Sequence, residues 1–301
     1  MNIVLTGSIS NIGKPLTQAL VQKGHSVTVI SNKLERQKDI EALGANAAIG
    51  AMQDTDFLIK TFKGADIVYL METLDAAGSM FDKNVDFIET INTIGNNYKQ
   101  AVEQSNIKCV VHLSSVGAHM NKDNGILIFH HNVENILKEL PADVSIKTMR
   151  PVGFYTNIMS LIRTIKSQGV IVFNYGGNTK EPWVSPSDIA AVIAEEIDKP
   201  FEGRTVRYIA SDEASPNEIA KALGNAIGKP DLKWLVIPDE ELLNNWLKAG
   251  MNEQIAKGFV EMQSSQGNGV LYENYNRHKP VLGKVKITDF AKQFATAYNQ
   301  E

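Results

Sequence analysis

Ile3-Val4-Leu5-Thr6-Gly7-Ser8-Ile9-Ser10-Asn11-Ile12-Gly13-Lys14-Pro15-Leu16 is the stretch that decides the fold. A short β-branched run ends in a glycine. Six residues later a second glycine opens a segment of helical spacing, with Pro15 where a first helical turn tolerates a missing N–H. Gly7 permits a tight turn at the strand end, and Gly13 permits close packing of helix on strand. The N–H groups of the helix tip then face an anion, assisted by the helix dipole. Two glycines alone are a weak motif, but a strand before them and a helix after them give the context that holds the diphosphate of a dinucleotide. Ser10 stands where the middle glycine is customary, so its side chain either crowds the diphosphate or donates to it. The expected loop contacts are Gly7, Ser10, Asn11, Ile12 and Gly13.

Outward from this unit the alternation continues. Residues 27–30, 46–49, 66–70, 109–113 and 144–149 form runs that are continuously apolar, as parallel strands covered on both faces require. Residues 14–23, 34–43, 55–62, 81–104 and 131–139 have helical spacing and supply the covering layers. The expected fold is a doubly wound parallel α/β sheet. Residues 1–150 read as its dinucleotide-binding domain and residues 151–301 as a smaller substrate-side subdomain. In the latter, helices are expected at 157–167, 187–198, 216–227, 239–263 and 288–298, with a strand at 204–210. No Pro/Gly/Ser-rich linker separates the halves, so they are expected to interlock.

With 43% apolar and 21% charged residues over 301 positions, disorder and disulfide-stapled miniproteins are excluded. The net charge of −4 and the lack of any block of five like charges argue against a nucleic-acid surface and for a small organic ligand. No apolar run approaches the ~20 residues of a membrane span, and no basic region followed by a long apolar stretch opens the chain. A cytoplasmic protein with no membrane partner is expected, and a homodimer is compatible with these features. Cys109 is the single cysteine, which excludes an internal disulfide and a multi-thiolate zinc site. It reads as a small buried strand residue. The histidines show no recognisable metal-ligand spacing.

The end of the second strand selects the dinucleotide. An acidic residue there accepts both ribose hydroxyls of NAD, whereas a 2′-phosphate needs cationic or neutral donors. Ser31, Asn32, Lys33 and Arg36 stand at that point, with Lys33 as a point charge and Arg36 as a bidentate fork. NADP(H) is therefore expected over NAD(H), although Glu35 and Asp39 dilute the positive field.

Three further stretches carry a resemblance. They are Val110-Val111-His112-Leu113-Ser114-Ser115, Met149-Arg150-Pro151-Val152-Gly153-Phe154-Tyr155-Thr156-Asn157, and Trp183-Val184-Ser185-Pro186-Ser187-Asp188-Ile189-Ala190. Together with the glycine loop, they make the chain resemble the NmrA-like members of the atypical short-chain dehydrogenase/reductase superfamily. That group includes NADPH-dependent quinone and azo reductases and nucleotide-sensing regulators. The resemblance spans nearly the whole chain and implies a Rossmann-type sheet, with Leu70, Ser114 and Phe154 added to the cofactor contacts. Pro151 and Gly153 are expected to break the sixth strand and set Phe154, Tyr155 and Asn157 at the carboxyl edge. Asp188 reads as part of a helix start capped by Ser185 or Ser187.

Alcohol oxidation in the wider superfamily relies on Tyr-x-x-x-Lys, and this chain lacks that pair. The corresponding helix opens Phe129-His130-His131-Asn132-Val133-Glu134, with His131 in place of a lysine common in the family. Dehydrogenase and epimerase chemistry are disfavoured by that departure. Reduction of a quinone-like or other conjugated acceptor asks less of the protein, since positioning supplies much of the acceleration. His131 is the expected proton donor. The alternative from another class is a regulator that senses the NADP/NADPH ratio without turnover; a nucleotide-sugar epimerase stands third. Phe173, Tyr175, Trp183, Trp246, Met251 and Phe259 are pocket or core material without an assigned role.

Overall fold

Seven parallel strands form the central sheet of the computed structural model, which describes residues 1–300. In chain order the strands are β1 (Asn2–Leu5), β2 (Ser26–Ser31), β3 (Asn46–Ile49), β4 (Ile67–Met71), β5 (Cys109–Leu113), β6 (Ser145–Pro151), β7 (Gly153–Phe154), β8 (Val170–Phe173), β9 (Glu181–Val184), β10 (Arg204–Ile209), β11 (Asp212–Ala214) and β12 (Lys233–Val236). The sheet runs β10-β6-β5-β4-β1-β2-β3, every pairing parallel. This is the doubly wound Rossmann-type arrangement that the apolar runs call for. From the second half, β10 joins the sheet edge, pairing Arg204 with Ile146 and Ile209 with Pro151.

The helices are α1 (Gly13–Gln22), α2 (Gln37–Glu41), α3 (Thr55–Phe62), α4 (Leu74–Ala77), α5 (Phe87–Gln104), α6 (Ile128–Lys138), α7 (Ile162–Gln168), α8 (Pro186–Ile197), α9 (Pro216–Ala226), α10 (Asp239–Lys248), α11 (Glu253–Gly267), α12 (Glu273–Arg277) and α13 (Ile287–Gln300). Among the described residues none is long and apolar enough to cross a membrane. The longer layer helices each bury one stripe. In α5 the stripe is Phe87, Ile91, Ile94, Tyr98 and Ala101, spaced three and four apart against one side of the sheet. Leu16 and Leu20 of α1 and Ile189, Ile193 and Ile197 of α8 close the other side. A separate core of Tyr155, Trp183, Trp234, Phe290 and Phe294 serves the second half.

Capping explains where several boundaries differ from the periodic reading. The helix expected from residue 81 begins at Phe87, because Asp86 accepts the Glu89 N–H and caps it. The stretch 239–263 is two helices: Gly250 takes a left-handed φ of 89°, and Asn252 accepts the N–H groups of Gln254 and Ile255 to start α11. Leu34–Arg36 and Tyr155–Leu161 are 3₁₀ turns leading into α2 and α7, and α6 starts at Ile128. Pro151 does not break β6 but ends it, and the Val152 N–H still donates to Ile209 before the chain leaves as β7. Cys109 is half-buried rather than buried, and desolvation raises its thiol pKa.

The Asp188 motif is structural. Ser185 caps α8, and the Asp188 carboxylate accepts from the Ser211 hydroxyl at 2.6 Å and the Val285 N–H at 3.0 Å, tying the helix to the C-terminal segment. The small sheets β11-β9-β7 and β12-β8 lie outside the sequence expectation; all of their strands are four residues or fewer.

Candidate cofactor site and buried polar cluster

The glycine loop is pinned from below. Thr6 donates its N–H to Tyr69 O and accepts the Met71 N–H on its hydroxyl at 2.9 Å, locking the end of β1 to β4. Gly7 and Ser8 then take left-handed φ values of 86° and 59°, and the Ser8 N–H donates to Ile30 O. A Cβ on Gly13 would collide with the Ser8 carbonyl oxygen, so only glycine brings the helix this close to the loop. No side chain caps α1 and no acid stands in its first turn; the Lys14 N–H turns back to Ser10 O and the Leu16 N–H to Ile12 O, and no local carboxylate opposes the positive end of the helix dipole. Ser10 is exposed and accepts the Gly13 N–H at a long 3.4 Å; Asn11 is exposed and Ile12 is core. An uncapped helix tip, a backbone cradle closed to any Cβ and a loosely held hydroxyl fit the diphosphate of a dinucleotide.

At the end of β2 the donors divide. Ser31 is buried, its hydroxyl accepting the Lys33 N–H at 3.2 Å and meeting the Ser8 hydroxyl at 3.1 Å. Asn32, Lys33 and Arg36 are exposed, and Arg36 keeps only a 4.0 Å contact with Asp39. Ser8 was missed from sequence; its left-handed backbone, which carries its hydroxyl to Ser31, has no signature in an isolated serine. Leu70 is wholly buried, which leaves only its backbone for a ligand, and Phe154 is half-buried against the same core that Ile9 of the loop packs on.

Between the carboxyl ends of β4, β5 and β6 and helix α6 lies a buried polar cluster. Ser114, expected at the ligand, instead donates its hydroxyl inward to Glu134 Oε1 at 2.6 Å. Glu134 also receives Arg150, whose Nη1 reaches the Tyr208 hydroxyl at 3.2 Å. Burial works to raise the Glu134 pKa, but the Arg150 guanidinium and the Ser114 hydroxyl bring it below the usual carboxylate range. Beside this group, Glu72 sits just past β4 between His112 Nε2, at 3.1 and 3.2 Å, and His130 Nδ1, at 3.1 Å. Burial favours the neutral acid, yet the two imidazoles overcome it and lower Glu72 to about 2. Burial opposes charge on His112 as well, and Glu72 outweighs it and raises that ring.

His131, the expected donor, lies outside this cluster. Its Nδ1 is 3.0 Å from Ala118 O and its Nε2 accepts the Asn135 amide at 2.8 Å, so both ring nitrogens are committed to local structure. The histidine that shares a helix face with Glu134, four residues apart, is His130. Glu72 and His112 went unnoticed in sequence because each sits in or beside an apolar run.

A family model described as the NmrA-like family matches residues 1–291. The NAD(P)H azoreductase of Xenophilus azovorans is 22% identical over 299 residues, covering 98% of this chain and 99% of that protein. Among solved structures, the NADPH-dependent quinone oxidoreductase of Escherichia coli, complexed with NADPH, superposes with a TM-score of 0.78 at 15% identity, covering 97% and 99% of the two chains. The triphenylmethane reductase of a Citrobacter species does so at 0.76 and 18%, covering 98% and 100%.

Proposed function

The chain belongs to the NmrA-like family, and on that premise we propose that it is an NAD(P)-binding oxidoreductase, NADPH-dependent, that delivers a hydride to a quinone-like or other conjugated acceptor. The observation that carries the reading is the uncapped tip of α1 behind Gly13, flanked by Asn32, Lys33 and Arg36 with no carboxylate at the end of β2. The curated relative and the two structural neighbours named above are reductases, which supports the class.

In this reading the loop from Gly7 to Gly13 and the tip of α1 hold the diphosphate, with the Ser10 side chain beside it. Lys33 and Arg36 hold the 2′-phosphate, Lys33 as a point charge and Arg36 bidentately. Bound there, a reduced nicotinamide supplies the hydride. The side chains of Phe154 and Met71 and the backbone of Leu70 stand at the carboxyl edge, where they orient an acceptor and exclude water.

The test is calorimetric titration with NADPH, NADP, NADH and NAD, followed by NADPH oxidation across quinones, azo dyes and enones. Tighter NADPH binding and acceptor-dependent oxidation are expected; oxidation no faster than buffer for every acceptor would sink the catalytic half. A second reading, a sensor of the NADP/NADPH ratio, is favoured by the lack of a Tyr-x-x-x-Lys pair on α6. Binding without turnover, with a protein contact that responds to cofactor redox state, would select it.

A further inference from the structure

We propose that His130 is the proton donor to the reduced acceptor, held by Glu72, which His112 anchors from behind; the inference rests on the reductase reading above. Sheet register creates the arrangement. Leu70 of β4 pairs with His112 of β5, so Glu72, two residues beyond Leu70, reaches back over the His112 ring at the carboxyl edge, where ligands of such sheets bind. The third member arrives on the first turn of α6.

Side-chain exposure falls from the edge inward: 11% for His130, 1% for His112 and none for Glu72. An ionised carboxylate only accepts, so the ring nitrogens facing it, His130 Nδ1 and His112 Nε2, carry hydrogens. His130 Nε2 has no hydrogen-bond partner among the described residues, and it is the nitrogen left for a ligand. His112 Nδ1 is buried without a partner, so this ring serves Glu72 alone. None of the other polar side chains around the cluster hydrogen-bonds to Glu72, His112 or His130. Glu134 is taken by Arg150 and Ser114, and the Tyr98 hydroxyl of α5 donates to Met71 O. The Tyr69 phenol of β4 stays protonated through burial, and burial with the nearby Arg150 charge lowers His119. Glu72 is thus the one carboxylate facing both rings.

The chemistry balances. A quinone that accepts a hydride, two electrons and one hydrogen, from a dihydronicotinamide becomes a hydroquinone anion. The bond between His130 Nε2 and its hydrogen breaks, its electron pair stays on the imidazole, and the proton goes to the quinone oxygen. Water later returns a proton to Nε2. A triarylmethyl cation that accepts a hydride becomes a neutral triarylmethane and needs no proton, so comparing the two acceptors isolates the proton step.

Expected results follow for H130Q and E72Q, which keep side-chain volume. The ratio of quinone turnover to triarylmethyl-cation turnover falls about 100-fold in H130Q and by a smaller factor in E72Q. The excess solvent deuterium effect on quinone turnover disappears in H130Q. In nucleotide-free protein, nitrogen-15 spectra show a hydrogen on His130 Nδ1 facing Glu72, and E72Q moves that resonance and lowers the titration midpoint of His112. Wild-type protein that reduces both acceptors, with an unchanged ratio in both variants, overturns the donor role and leaves the reductase reading standing. A His130 Nδ1 resonance untouched by E72Q overturns it too. Wild-type protein that reduces neither acceptor overturns the reductase reading and the donor role with it.

Discussion

Glu134 of α6 meets Arg150 of β6 through two hydrogen bonds, Nε to Oε1 at 2.8 Å and Nη2 to Oε2 at 2.6 Å. The pair clamps the helix that carries His130 onto the sheet, and Ser114 and Tyr208 occupy its remaining positions. Both side chains are buried, so removing one strands an uncompensated charge on the other. Arg150→Met is expected to cost about 3–5 kcal/mol, read as a lower urea midpoint at pH 7. A loss below ~1 kcal/mol would mean that Glu134 finds water or neutralises at little cost.

Glu181 of β9 presents the opposite electrostatic situation. Burial pushes its carboxyl from 4.5 up to about 8, the hydrogen bonds of Tyr175 and Tyr272 recovering only part of that, and Oε1 has no partner. Between those two pH values the folded chain binds more protons than the unfolded one, so this residue lowers stability as pH rises from 4.5 through 8. Glu181→Gln should match wild type near pH 4.5 and exceed it at pH 9 by about 2 kcal/mol or more in denaturant midpoints. Parallel pH curves for the two proteins would show that Glu181 ionises freely in the fold.

What sequence made legible was periodic. The five β-branched runs and the helices 55–62 and 216–227 rest on apolar spacing and on local caps such as the Ser215–Glu218 box, and these are properties of neighbouring residues. The break at Gly250 and Asn252 carries a readable signal, a glycine stop followed two residues later by an Asx cap. The Glu72–His112–His130 group does not: its members are separated by 40 and 18 positions and meet only through the parallel register of β4 with β5 and the docking of α6. The choice between His130 and His131 likewise turns on the phase of α6, and a start at Ile128 rather than His131 sets which ring points inward.

The 2′-phosphate reading concerns exposed side chains with few local ties. Lys33 is exposed, and Arg36 has only its 4.0 Å contact with Asp39, so neither must break a strong bond to engage a ligand. Lys33→Ala and Arg36→Ala should each weaken NADPH by about 1.5–3 kcal/mol, the worth of a charge-assisted bond, while NADH changes little. Equal losses for both cofactors in calorimetry would refute a role at the 2′-phosphate.

Ser10 supplies the complementary case, because any effect it has falls on a part common to all four dinucleotides. Its hydroxyl sits over the tip of α1 at 3.4 Å from the Gly13 N–H, too long to contribute much in the free protein, so losing that contact is nearly neutral. A glycine there would let the loop backbone approach the diphosphate more closely, without a side chain in the way. Ser10→Gly is therefore expected to tighten NADPH and NADH alike by about 1 kcal/mol, roughly fivefold. Weakening of both by a similar amount would assign the hydroxyl a direct bond to the diphosphate. A change confined to one cofactor would place Ser10 beside the adenosine ribose, and the assignment of this loop to the diphosphate would fall.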